Sequence, residues 1–489
     1  MLRFARNDAK RQWDWGCPKG GGVKDPKQKN KQTIKTKQQH LNNIPPAGSD
    51  VILHADAIIP PNYIADAGTI GIGAEGSLTI HNGAQLHHTG NVEATLQKSI
   101  AAYNEAADPT DGWYTIASPV EGWLEPNDNM LTNTYDLYYY NEPDHLWKNY
   151  KKQSFDFYNG KGYLYANSDN KTLEFTGNMI PTNNSISFGL FYTEAAGDLK
   201  GYNLMGNPFT RNLTAGEITL ADIPVTTYYM VEGGSELVPF DLGMHPIKPG
   251  QGFFVQAAED NQLLVLGAQT NSGNRGATQG NLCIEVGNGS VMDRAYVQIG
   301  GGNTLRKMIL NDNTAKVYVM NDGKDYAAAT IEAAQGELPV NFRANENGQY
   351  TITVNLEGVE MNYLHLIDNM TGTDIDLLLP PLTGGQGEST PATYTFNART
   401  TDYESRFKLV FSTQVLEPVE GPDQPFAFIN NGNLIVNGEG MLQIMDVTGR
   451  MIRCTDVARN VSTSGMVPGV YVLRLINGDD VKVQKMVIE

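Results

Sequence analysis

Two stretches of this chain match each other in a way that leaves few folds open. Gly112–Val120 reads GWYTIASPV and Gly201–Phe209 reads GYNLMGNPF, sharing Gly, an aromatic, Ile or Met, Ser or Asn, Pro and an apolar residue at one spacing. The register continues downstream. Tyr138, Tyr139 and Glu142 match Tyr228, Tyr229 and Glu232, and GYLYANSDNKTLEFTG from Gly162 matches GFFVQAAEDNQLLVLG from Gly252 without a gap. The offset is 89 residues at the start and 90 from the Tyr pair onward. A register kept this long marks a tandem duplication within residues 90–270, with copies at about 90–177 and 178–268.

The repeated unit reads as β. EATLQKSIAAYNEAA places Leu96, Ile100 and Tyr103 at helical spacing, but its counterpart NSISFGLFYTEAA alternates with period two, which selects strand for both. Gly supplies 51 of the 489 residues, which suits short strands joined by tight turns, and the whole chain reads as all-β. Each copy could be a small β-sandwich of its own, or the two could close face to face as one. The few apolar residues in each copy favour the second arrangement.

The flanking segments divide by pattern. Residues 48–89 alternate apolar pairs such as Val51/Leu53, Ile70/Ile72 and Leu78/Ile80 with frequent Gly, as in a few coils of a short β-solenoid docked on its neighbour. Gly71, Gly73 and Gly76 spell GxGxxG here, but a dinucleotide site needs a helix after that motif, and SLTIHNG reads as a strand. Residues 271–413, with YTITVNL and FKLVF, read as a second β-sandwich, and the Pro- and acid-rich 414–425 as a linker. Residues 426–489 form a terminal module, with turns at Thr448–Gly449 and Asn477–Gly478.

Charge and cysteine content exclude several function classes. Residues 1–40 hold eleven Lys and Arg against three Asp, in a chain of net charge −18. The remaining body is strongly acidic and would repel a phosphate backbone, so no nucleic-acid partner is expected. Residues 1–47, Lys- and Gln-rich without a signal-peptide apolar core, read as a disordered or misassigned start, or as the start of a fragment. Cys17, Cys283 and Cys454 lie too far apart for a CxxC metal signature, and no apolar run is long enough for a transmembrane segment.

No catalytic constellation emerges. HExxH, GxSxG and GxxxxGK[ST] are missing from the sequence. His87 and His88 are adjacent and would face opposite sides of a strand. The carboxylate pairs Asp108/Asp111, Asp368/Asp374 and Glu259/Asp260 sit in turn-like sequence without calcium-loop spacing and read as solvated turns. No catalytic residue, metal or cofactor is therefore expected. Residues 135–165 hold eleven aromatics against 9% for the chain, so Tyr138, Tyr140, Trp147 and Tyr150 are candidate glycan-binding residues, with core packing as the competing role.

In the terminal module, GMLQIMDVTGR, GVYVLRL and KVQKMVI follow one another, with Tyr471, Leu473 and Leu475 on one strand face and Arg474 on the other. These ordered motifs resemble the C-terminal sorting domain of type IX secretion substrates, over about residues 424–489. The resemblance implies an immunoglobulin-like fold, recognition by a type IX translocon and sortase, and attachment of the body to surface lipopolysaccharide. It assigns the sorting signal to Gly449, Gly469, Tyr471, Arg474 and Lys485 and places the protein outside a Gram-negative cell or on its outer-membrane surface. The body, through its GWxxIxSP, GxNLxGNPF and LIDNMTG…YTFNA…SRF segments, resembles uncharacterised surface β-proteins of the same bacterial phylum. The function expected is a non-enzymatic secreted or cell-surface protein, adhesin-like or structural. The alternatives are a module binding a glycan or host protein, and a hydrolase using loop carboxylates.

Overall fold

The computed structural model describes residues 2–3, 31–34, 47–103, 111–132, 134–267, 280–310, 314–359, 361–378, 392–412, 426–430, 432–456, 460–478 and 480–488. Most of the basic start, Cys17, Asp108 and the 414–425 linker fall outside these residues. The fold is all-β. Among the described residues the helical segments are two 3-10 turns, Glu194–Leu199 and Ala333–Gln335. The chain divides into two compact units, 1–411 and 412–489.

Residues 50–87 run as very short strands in parallel register, Val51 opposite Ile70, Ala57 opposite Leu78 and Ile64 opposite Gln85, so that three strands recur one coil later. Glycine permits this stacking. A Cβ on Gly76 would lie 2.7 Å from the Leu53 carbonyl oxygen, which makes the GxGxxG stretch a coil-packing device followed by the strand Leu78–Ile80. The next strand, Val92–Ile100, continues the parallel stack through Thr79–Thr95 and pairs antiparallel with Lys171–Met179 along its whole length. Its burial alternates, putting Val92, Ala94, Leu96 and Ile100 inside, as period two requires.

The two copies repeat the same pairing scheme. In each, the first strand pairs with the last, Val92–Ile100 with Lys171–Met179 and Ile186–Leu190 with Gln262–Leu266. Ile116 stands opposite Tyr163 in the first copy, and Met205 opposite Phe253 at the equivalent positions of the second. The copies meet about a local two-fold relation: Ile116 bridges Gln251 while Met205 bridges Lys161. The Ala117 amide donates to the Gly250 carbonyl at 3.0 Å and the Gly206 amide to the Gly160 carbonyl at 2.9 Å. Each copy encloses a buried cluster of its own. The first, around Ile116, Leu137, Tyr163 and Phe175, is continuous with Leu53, Ile59 and Ile80 of the short coils. The second gathers Met205, Tyr228, Phe253 and Leu264.

Strands from Gly280–Gly287 to Phe407–Ser412 form an 11-stranded sheet whose order runs from Thr373–Asp376 at one edge to Ala392–Ala398 at the other. Strands distant in that order, such as Tyr363–Asp368 and Gly348–Glu357, contribute to one cluster through Leu366 and Val354. A further cluster joins this region to the copies, with Cys283, Tyr296 and Ala328 packed on Tyr229 and Phe254. Buried polar ties cross the same seam: Lys316 to Glu236 at 3.0 Å and Asn281 to Asp241 at 2.7 Å.

In the terminal unit, a sheet of Ala427–Asn430, Asn433–Val436 and Asn460–Ser462 accompanies a four-stranded sheet ordered Met451–Asp456, Met441–Asp446, Gly469–Asn477 and Asp480–Ile488. One core unites them, with Leu434, Leu442, Ile444, Leu473 and Ile488. The final hairpin closes with Asn477 opposite Asp480 and Gly478 at a φ of 60°.

Candidate functional site

The aromatic stretch 135–165 forms the hairpin Tyr135–Asn141 and Leu146–Asn149 and the strand Gly162–Asn167. Alternation splits the four glycan candidates between two faces. Tyr140 stands opposite Trp147, and both pack edge-on against Phe254 of the second copy, with centroids 5.8 and 6.0 Å away. Tyr138 lies on the same face, 6.0 Å from the Trp113 ring. Tyr150 faces the other way and packs on Phe155, 5.2 Å distant. Tyr140 lines a cavity, whereas Tyr138, Trp147 and Tyr150 do not line it.

That cavity, about 430 Å³, opens where two neighbouring strands part. Tyr135–Tyr138 pair with Leu164–Asn167, but from Tyr139 onward the strand pairs, among the described residues, with the Leu146–Asn149 hairpin arm alone. Tyr139 to Glu142 form one wall and Lys161 to Tyr163 the opposite one. Phe191, Asn203 and Leu204 of the second copy close the far side. At the mouth stands Trp123, 70% exposed, its ring 4.6 Å from that of Tyr158. Phe191 is also exposed, and the Lys161 ammonium lies 5.8 Å over its ring.

The polar groups of the cleft differ in how they are used. Glu142, 2% exposed, accepts hydrogen bonds from the Thr193 amide and hydroxyl and the Gly201 amide, each at 2.8 Å, and so ties the copies together. Asn203 is spent on Phe191 and Gly201. Lys161 has no carboxylate partner among the described residues, and burial alone lowers its pKa. The buried Tyr140 hydroxyl finds no hydrogen-bond partner among the described residues; burial first, and Glu142 second, push its pKa up to about 12.

The other sequence candidates serve separate ends. Asp368 grips Arg406 through two bonds, Nε to Oδ1 at 3.1 Å and Nη2 to Oδ2 at 2.8 Å, and also accepts from the Tyr394 hydroxyl at 3.1 Å. The Arg406 guanidinium lies 4.5 Å over Phe396 and 5.2 Å over Phe407. The LIDNMTG, YTFNA and SRF segments therefore converge on one buried ion pair. Asp374 pairs instead with His365 at 2.6 Å, and Asp260 accepts from the Tyr192 amide. His87 reaches Asp66 at 3.2 Å, while the buried His88 bonds the Gly90 carbonyl.

In the terminal unit, Tyr471 is buried and its hydroxyl donates to the Val467 carbonyl at 2.6 Å, fixing the entry to its strand. Gly449, at a φ of 81°, completes a turn organised by Asp446. That carboxylate accepts from the Thr448 hydroxyl and amide and from Arg450, and these bonds, Thr448 first, hold its pKa down at about 2. Gly469 opens the strand Gly469–Asn477. Arg474 and Lys485 point from the exposed face of the sheet, opposite Val483 and Val472, among the exposed Val481, Val483 and Val487.

Sequence reasoning missed Trp123, Tyr158, Lys161 and Phe191. The signal available was the mismatch between copies: Tyr158 and Lys161 correspond to Lys248 and Gln251. Among the described residues, no group of three or more His, Cys, Asp or Glu is placed to hold a metal ion, and no helix is long and apolar enough to cross a membrane. In comparisons with known proteins, the chain matches no family model, no curated protein and no solved structure.

Proposed function

We propose that this is a non-enzymatic secreted or cell-surface β-protein of a Gram-negative bacterium, adhesin-like or structural, carried to its destination by a type IX secretion system. In this reading residues 48–89 are a short β-solenoid, the duplicated region and residues 271–413 are β-sandwiches, and residues 426–489 are an immunoglobulin-like sorting domain. The observation that carries it is the separate compact unit at 412–489, with its own core, in which the sorting-like motifs fall. Within it Tyr471 and Gly449 shape the fold, and Arg474 and Lys485 stand on an apolar, accessible sheet face of the kind a protein partner reads. The translocon and sortase are the partners implied, with lipopolysaccharide as the surface anchor. Fusing residues 412–489 to a periplasmically exported reporter in a type IX-competent host tests the reading. The reporter is expected at the surface or in the medium; retention in the periplasm contradicts it.

A second reading, a glycan-binding role for the body, is favoured by the exposed Trp123, packed on the half-buried Tyr158 at the mouth of the cleft. A large aromatic left in solvent gains nothing from folding, and the C–H face of a sugar ring stacks on such a surface. Binding of the full chain to a glycan array is the expected result, and a blank array leaves the scaffold role alone.

A further inference from the structure

The duplication supplies an internal comparison for the cleft. At the equivalent place in the second copy, Gln251 stands where the first copy has Lys161. The Gln251 side-chain Nε2 donates to Glu232 at 2.9 Å, and its Oε1 accepts from the Lys248 backbone amide at 2.8 Å. Lys98 adds a contact to Glu232 at 3.5 Å, and the strand Glu232–Gly234 lies against Trp113 and Tyr114 of the first copy. The second copy thus closes this place with its own backbone and a neutral amide. In the first copy the strands part, Glu142 is saturated by backbone and hydroxyl donors, and Lys161 lines a cavity without a counter-ion among the described residues.

From this contrast we infer that the cleft receives a carboxylate-bearing saccharide, its ring against the exposed face of Trp123 and its carboxylate on the Lys161 ammonium. The inference rests on the glycan-binding reading above and deepens it. The volume, about 430 Å³, falls in the range of small-ligand sites, roughly 300–1,000 Å³. Trp123 supplies an exposed flat face beside the Tyr158 ring, which is tilted 53° to it, and the Lys161 ammonium lies over the Phe191 ring. A half-buried ammonium has lost much of its hydration, and a ligand carboxylate restores the lost stabilisation through a charge-assisted hydrogen bond. Asp156 lines the same cleft and is exposed, so it can accept from sugar hydroxyls while leaving the cation free.

A glycan array probed with the full chain decides the matter, provided it carries galacturonate-, glucuronate- and sialate-ended glycans beside their neutral and sulfated counterparts. The expected hits are carboxylated glycans, weakened at least about tenfold by Trp123→Ala and reduced to the neutral level by Lys161→Gln. Gln already occupies the equivalent position of the second copy, so the unfolding midpoint of Lys161→Gln is expected to match the parent and separates lost binding from lost folding. Hits confined to neutral or sulfated glycans, or carboxylated hits indifferent to Lys161→Gln, overturn the inference and leave the broader glycan reading standing. A blank array overturns both.

Discussion

Replacing Gly206 by Ala tests the two-fold seam between the copies. Ala117 and Gly206 are equivalent residues that face each other there, and a Cβ on Gly206 would lie 2.4 Å from the Ala117 Cβ and 2.5 Å from the Lys161 carbonyl oxygen. One neighbour is a Cβ and the other backbone, so no rotamer change relieves the overlap and the strands must separate. Overpacking of this kind costs roughly 1–3 kcal/mol. Separation also strains the hydrogen bond from the Gly206 amide to the Gly160 carbonyl, now 2.9 Å, whose net contribution is about 1 kcal/mol. The expected loss is about 2–4 kcal/mol, or about 4–8 °C at ~2 °C per kcal/mol, the low end for large domains. Scanning calorimetry of the full chain reads this shift. Gly189→Ala, whose nearest neighbour is the Asn261 Oδ1 at 3.6 Å, is the control and should change little. Adding Ala117→Gly to Gly206→Ala should recover part of the loss by removing one of the two methyls. A Gly206→Ala protein that unfolds within a degree of the control refutes the packing of the seam.

Three further substitutions probe the polar interior. Asp368→Ala leaves the buried Arg406 only the Asn397 carbonyl and a 3.7 Å contact with Asp402, and is expected to cost about 3–5 kcal/mol in denaturant unfolding; a loss below about 1 kcal/mol would mean that the pair is not buried as described. Burial works against the Asp368 carboxylate, yet the bonds from Arg406 and the Met370 amide hold its pKa below the ordinary value, so this stability is present above that value and lost as pH falls through the folded pKa. Tyr140→Phe removes a buried hydroxyl without a partner among the described residues, and stability should hold or rise by up to about 1 kcal/mol, whereas a fall of more than about 1 kcal/mol would reveal a bond. Burial, opposed by the Gly90 bond, lowers the His88 pKa, so the folded state prefers the neutral ring. Its contribution is complete above the unfolded pKa of about 6.5 and declines as pH falls below it, and His88→Gln should flatten the stability profile between about pH 7 and 5. An unchanged slope would contradict that assignment.

The β class and the duplication were legible because turn and strand chemistry is local. Gly, Pro and aromatic residues at fixed spacing mark the same backbone events in both copies, and the pairs Ile116–Tyr163 and Met205–Phe253 follow the sequence offsets. The strand at Val92–Ile100 was readable through its better-patterned counterpart, although the buried Lys98 interrupts its inner face and reaches out to the exposed Glu232. The cleft was not legible, because its walls come from Trp123, Tyr139–Glu142, Lys161 and the second copy's Phe191, and no local pattern says which of these converge. Of the four aromatic candidates, Tyr140 lines the cavity and Tyr138, Trp147 and Tyr150 do not. Tyr138 and Trp147 pack against Trp113 and Phe254, and a sequence carries no sign of which strand face a second domain covers. The LIDNMTG, YTFNA and SRF segments show the converse, since residues far apart in sequence meet in one ion pair and its aromatic bed.

The central claim, export directed by the terminal unit, is tested most directly by locating the full chain in a type IX-competent cell. The chain is expressed behind a periplasmic export signal, with and without residues 412–489, and intact cells are treated with protease. The account predicts that the full chain is released or digested at the surface while the truncated chain stays protected in the periplasm. Equal protection of both, or surface exposure of the truncated chain, would contradict it.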